Sequence, residues 1–137
     1  MAARPIFLGS IVNFVAKIVN GDSTNKVTVY AAGGSGVRLY ALGVSSTDTS
    51  NRDINIYATI SGTDYLLATV QIPLNSGNAN NVASVDLIGS TMLPWVRSDE
   101  AGRKYIDLAN GTTLKAAAVV AVTAGKEIAF FGMAGSV

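Results

Sequence analysis

The stretch RDINIYATISGTDYLLATVQI, Arg52 to Ile72, decides the fold. In its first half Ile54, Ile56, Ala58 and Ile60 alternate with Asn55, Tyr57 and Thr59. In its second half Leu66, Ala68, Val70 and Ile72 alternate with Tyr65, Leu67, Thr69 and Gln71. A period of two with β-branched and aromatic residues is the pattern of strands that rest one face on a core. Between the halves lies Ser61-Gly62-Thr63-Asp64, a short glycine-containing connection of the kind that closes a β-hairpin. The register that joins them places both apolar sets on one sheet face, and a slip of one residue would turn both outward.

The same pattern runs outward in both directions. Val27 and Val29, then Val37, Leu39 and Ala41, occupy alternate positions upstream. Downstream, strands are expected over Lys104–Leu108, Thr113–Val122 and Glu127–Met133. The run Ala116 to Val122 is apolar on both phases and reads as a strand buried on both sides, with a helix as its rival by alanine propensity. Val85 to Leu93 reads as a short helical turn. Turn clusters such as Asn20-Gly21-Asp22-Ser23, Gly33-Gly34-Ser35-Gly36 and Asn110-Gly111 recur every 10–15 residues or so, close to the spacing of a sandwich or barrel. Seven to nine strands and almost no helix predict an all-β, antiparallel jelly-roll sandwich. An immunoglobulin-like sandwich is the alternative, although the cysteine–tryptophan signature of true immunoglobulin domains is missing. The chain, residues 1–137, is expected to form a single β-sandwich domain with residues 1–10 as an N-terminal arm.

Composition removes several function classes. The chain has no histidine and no cysteine, so Ser-His-Asp or Cys-His catalysis, ordinary zinc sites and thiol chemistry are all excluded. Charged residues make up 14%, and ten basic against nine acidic side chains leave a net charge of +1. Binding to nucleic acid through phosphates calls for a basic stripe, so no nucleic-acid partner is expected. The apolar stretch Pro5 to Val19 is broken by Ser10, Asn13 and Lys17 and is followed by no small-residue cleavage site. It reads as an arm leading into a first strand rather than as a signal peptide. Leu114 to Ala124 is too short for a membrane span and carries Lys115, so no membrane partner is expected and synthesis is placed in the cytoplasm.

Candidate chemistry is sparse. The neighbouring carboxylates Asp48 with Asp53 and Asp99 with Glu100 could form a glycosidase pair, but polar loops and adjacent Arg52 and Arg97 make them solvated turn residues. The oxygen-rich loops Asp22–Asn25 and Asp48–Asp53 lack EF-hand spacing, and turn chemistry accounts for them. Gly33–Val37 leads into a strand, not a helix, so it is not a phosphate loop. No cofactor is expected. Tyr30, Tyr40, Tyr57 and Tyr65 fall on the polar phase of their strands and could form a sugar-stacking face, or pack across strands. Trp95 and Arg97 in Leu93-Pro-Trp-Val-Arg97 are residue types enriched in binding hot spots, although a lone tryptophan can also plug a sandwich end.

The order of the motifs carries a resemblance. It runs through Val27-Thr-Val-Tyr-Ala-Ala-Gly-Gly-Ser-Gly-Val-Arg38, Leu42-Gly-Val-Ser-Ser-Thr-Asp-Thr-Ser-Asn-Arg-Asp-Ile54 and Asp64-Tyr-Leu-Leu-Ala-Thr-Val-Gln-Ile-Pro73. It continues through Asn75-Ser-Gly-Asn-Ala79, Leu93-Pro-Trp-Val-Arg97, Tyr105 to Ala117 and Ala121-Val-Thr-Ala-Gly-Lys-Glu-Ile128. From Phe7 to Gly132 the chain resembles the head decoration, or cement, proteins of tailed bacteriophages, of jelly-roll type. The strongest parts are Ser45-Ser-Thr-Asp-Thr49 and the block from Leu114-Lys-Ala116 to Val122-Thr-Ala-Gly-Lys126. The resemblance brings no catalytic motif and no functional residue.

The resemblance implies a structural virion protein, not an enzyme, on the outer surface of the capsid. It would clamp neighbouring major capsid protein subunits as a homodimer or homotrimer. The alternative is a carbohydrate-binding or host-attachment module on the virion surface. The residues add that an arm carrying Arg4, Ile6, Phe7 and Leu8, with Ile11 and Phe14 beyond it, is more apolar than an edge strand needs. These residues, with Trp95 and Arg97, are the expected interface.

Overall fold

The computed structural model describes residues 11–90 and 92–136. In it the stretch 52–72 forms a hairpin of β4 (Arg52–Ile60) and β5 (Thr63–Ile72). Ile54 lies opposite Val70 and Ile56 opposite Ala68, as the alternation requires. Beyond Ile56 the register shifts, and Tyr57 meets Leu66. Leu67 is the extra residue of a β-bulge, and it packs against the core in place of Leu66, which is exposed. Strict alternation assigns Leu66 to the core; the bulge reverses the phase at this point. Ile60, at the tip of the hairpin, is also exposed.

The remaining strands are β1 (Ile11–Val19), β2 (Val27–Ala31), β3 (Val37–Ser46), β6 (Val85–Asp86), β7 (Arg97–Ser98), β8 (Lys104–Leu108), β9 (Thr113–Ala118) and β10 (Glu127–Ser136). They build two antiparallel sheets. One runs β1-β10-β3-β8-β7, with β6 also against β3; the other runs β2-β9-β4-β5. The protein is therefore an all-β sandwich. Among the described residues, eight strands have five residues or more, and they pair in a nested way: β1 with β10, β2 with β9, β3 with β8, β4 with β5.

Between the sheets lies one apolar cluster. Ile18, Leu39, Val44, Ile128 and Phe130 reach it from the first sheet, and Ile54, Ile72, Ala116 and Ala118 from the second. Each fully buried large aliphatic side chain contributes on the order of 1.5–3 kcal/mol. Beside β1 and β2 the two sheets are bridged by rings, with Phe14 and Tyr30 at 4.5 Å between centroids and tilted by 30°.

Two expected elements differ. The strand expected over Thr113–Val122 ends at Ala118, and Val119 and Val120 turn out to solvent. The Val119 N–H donates to the Asp53 carbonyl, after which the chain bends to bring Thr123 to Asp48. The turn expected to be helical at Val85–Leu93 begins instead as β6, paired with Gly43 and Val44. The Leu87 N–H then donates to the Leu42 carbonyl, so a ladder with β3 competes successfully with helix formation. Leu87 and Ile88 are buried there, and the Asp86 carboxylate accepts the Gly89 N–H to close the following turn. Among the described residues, no helix is long and apolar enough to cross a membrane.

Candidate interaction surface

The outer faces of the two sheets differ in chemistry. On the four-stranded sheet that face is a polar lattice. Lys26 Nζ donates to Asp64 Oδ2 at 2.8 Å, Lys115 Nζ lies 3.6 Å from Asp64 Oδ1, and Thr59 Oγ1 donates to the same carboxylate. Lys26 also sits 4.5 Å from the centre of the Tyr57 ring. The Lys26 and Thr59 hydrogen bonds hold the Asp64 carboxyl down at about 2, and the bond to Asp64 raises the Lys26 ammonium. β4, β5, β9 and Lys26, the residue before β2, are tied together here by groups that satisfy one another, beside the exposed Leu66.

On the six-stranded sheet the outer face of β1 and β10 is apolar and open. In β1 the odd-numbered residues point outward, and Ile11 is 76% and Val15 75% exposed. Across the ladder, Val15 lies opposite Phe131 and Asn13 opposite Met133, which are 50% and 42% exposed. The next strand adds little bulk, since Phe131 faces Gly43 and Met133 faces Ala41 on β3. A groove of about 880 Å³ crosses this face, lined by Val15, Lys17, Gly43, Ser45, Gly77 and Phe131 among others. Four large apolar side chains thus share one exposed face, which makes it the candidate interaction surface.

On the other side of β1 the packing is tight. Phe14 lies opposite Gly132, and a Cβ on Gly132 would come within 1.9 Å of the Phe14 ring. The glycine lets the ring lie flat on β10 and reach Tyr30. Phe14 is thereby a bridge between the sheets and not an outward contact.

The expected interface residues are divided. Ile11 lies on the apolar face. Trp95, 48% exposed, precedes β7, and Arg97 opens β7 opposite Tyr105, at the far edge of the same sheet from β1. Arg4, Ile6, Phe7 and Leu8 lie outside the described residues. Phe131 and Met133 went unrecognised because β10 is apolar on both phases, which conceals its outward set, and Val15 because it lies within the apolar run of β1.

Asp48 corrects the reading of the carboxylates as solvated. It is completely buried. Oδ2 accepts from Arg52 Nε at 2.9 Å and from the Thr123 N–H at 3.0 Å; Oδ1 accepts from Thr123 Oγ1 at 2.9 Å and the Ser50 N–H at 3.1 Å. Burial alone would push its pKa up. The bonds from Thr123, Arg52 and Ser50 outweigh that and hold it well below the ordinary carboxylate range. A carboxylate so fully engaged is a structural pin between the β3–β4 and β9–β10 connections, with no lone pair aimed at a substrate. Asp53 is exposed on β4 opposite Gln71, and Asp99 Oδ1 accepts the Ala101 and Arg103 N–H groups within its own turn. Asp22 Oδ2 accepts the Val19 N–H at 2.8 Å. Among the described residues, no group of three acidic side chains converges on a point that could hold a metal.

The tyrosines are spread over two sheets. Tyr30, Tyr57 and Tyr65 belong to β2, β4 and β5, and Tyr40 and Tyr105 to β3 and β8. Tyr30 is packed on Phe14, and the Tyr105 ring carries the Arg38 guanidinium 3.9 Å from its centre. Arg38 in turn forks onto Asp107 at 2.7 and 3.0 Å, which raises its already high pKa. Tyr30, Tyr57 and Tyr105 are engaged with neighbouring side chains, Tyr65 is exposed, and the five rings are divided between two sheets and do not form one platform. No protein-family model matches the chain, and no curated protein matches it in sequence.

Proposed function

We propose that this protein is a structural virion protein that decorates the outer surface of a phage capsid. It clamps neighbouring major capsid protein subunits through the outer face of β1 and β10, assembles as a homo-oligomer and performs no catalysis. The observation that carries this reading is the open apolar set Ile11, Val15, Phe131 and Met133, clustered on one side of a sandwich whose opposite outer face is polar around Asp64 and exposes Leu66 singly. A one-sided domain of this kind is built for contact. The resemblance in motif order supports the partner, and the low charge suits an assembly with apolar interfaces.

We read the sandwich further as a jelly roll. Nested pairing of first with last and second with next-to-last long strand is what a folded-over eight-strand hairpin produces. An immunoglobulin-like sandwich keeps its first two strands side by side in one sheet, whereas β1 and β2 lie in different sheets.

Sedimentation of the purified protein with shells assembled from the major capsid protein of the same phage tests the proposal. Saturation at a fixed copy number per capsid hexamer is expected. A protein that stays in the supernatant at all concentrations would sink it.

A further inference from the structure

A sheet ends in strands whose outer N–H and C=O groups have no partner, and folded proteins guard such edges by shortness, bulges, charge or proline. Among the described residues the two strand orders have four end strands, and three of them are guarded. β7 has two residues, β2 has five and a register shift at Thr28–Tyr30, and the ladder of β5 is broken by its bulge at Leu67. The fourth, β1, is different. It pairs with β10 at all nine positions from Ile11 to Val19 without a shift, so its outer edge, unpaired among the described residues, is long and regular. Its one charge is Lys17. Val12 points toward the core side, opposite buried Ala134, yet is 40% exposed, an exposure that a strand laid alongside β1 would cover.

From this contrast between one open edge and three guarded ones, we infer that β1 pairs with β1 of a second copy, antiparallel across a two-fold axis, to make a continuous sheet through both sandwiches. Full overlap of two nine-residue strands places the axis at Val15, the midpoint of β1. Ile11 then lies opposite the partner's Val19 and Asn13 opposite the partner's Lys17, so amide meets ammonium. The two lysines stand about 14 Å apart along the strands, beyond a physiological Debye length. With a net charge of +1, each copy offers little long-range repulsion to the other. Two edges of about 30 Å with their flanking side chains bury on the order of 1,000 Å² in total, the lower limit for a specific interface. A two-fold contact is self-complementary, so the strand needs no other partner. Pairing also sets the two apolar faces side by side and doubles the surface available to a capsid.

The inference rests on the proposed function only for that last consequence, and its test uses the protein alone. The chain has no cysteine, so Val15→Cys introduces a unique thiol at the axis. Treatment with diamide should convert most of Val15→Cys to a disulfide-linked dimer, while Gln71→Cys, on the outer edge of β5, stays monomeric. Light scattering of the unmodified protein should give twice the 14.1 kDa chain mass, and Val15→Lys should raise the dimer dissociation constant at least tenfold with its far-UV spectrum unchanged. A monomer at all accessible concentrations, a trimer, or equal cross-linking of both cysteine variants would overturn β1 pairing, and shell binding measured separately would be untouched by that result.

Discussion

Asp48 and Gly132 are the residues on which local order depends most. Asp48 gathers two connections through four hydrogen bonds, and its own carbonyl accepts the Asn75 N–H from a third segment. Replacing it with alanine leaves Arg52 and the Thr123 N–H without their acceptor, and should cost about 3 kcal/mol in urea unfolding. Its folded pKa lies below the unfolded value, so its contribution is complete above about pH 4 and fades as pH falls. Asp64, held at about 2, works in the same direction. Stability should therefore decline below about pH 4, with a shallower slope in Asp48→Asn, measured by urea unfolding at several pH values. A slope equal to that of the unmodified protein would show that the Asp48 pin is not what acid removes. Gly132→Ala would drive a methyl into the Phe14 ring and should destabilise by about 1–3 kcal/mol, an overpacking cost.

At the scale of elements, the hairpin shows what alternation can and cannot deliver. That Ile54 and Ile56 share an inward face with Ala68 and Val70 was legible, because a slip of one residue would turn either set outward. The bulge at Leu67 was not, since Tyr65-Leu-Leu-Ala68 reads equally well in either phase. Leu67→Ala should consequently cost about 1–2 kcal/mol, whereas Leu66→Ala should stay within about 0.5 kcal/mol, as determined by thermal or urea denaturation. The reverse order would place the register shift elsewhere. The early end of β9 escaped detection for a related reason. Val119 and Val120 have strand propensity, but the tie from Thr123 to Asp48, 75 residues away in sequence, pulls the chain out of the sheet. Candidate-site residues followed the same rule. Ile11 could be recognised as surplus apolar surface, but Phe131 and Met133 are separated from the core residues Phe130 and Ala134 only by the phase of β10.

For the whole molecule, the two sheets divide the work. One outer face is polar around Lys26, Lys115, Asp64 and Tyr57 and exposes Leu66 singly, and the other leaves Ile11, Val15, Phe131 and Met133 together to solvent. If residues 1–8 belong to the same interface, deleting Met1 to Leu8 should weaken shell binding more than it lowers the midpoint of thermal unfolding. Undiminished shell binding by the truncated protein would remove the arm from the interface. The most direct test of the central claim is the affinity for major capsid protein shells of the unmodified protein, Phe131→Asp and Leu66→Asp, measured side by side. Leu66 serves as an equally exposed apolar residue on the opposite sheet. Tight binding by the unmodified protein and Leu66→Asp, with at least a tenfold loss in Phe131→Asp, is the predicted result. Equal binding by all three, or loss confined to Leu66→Asp, would contradict it.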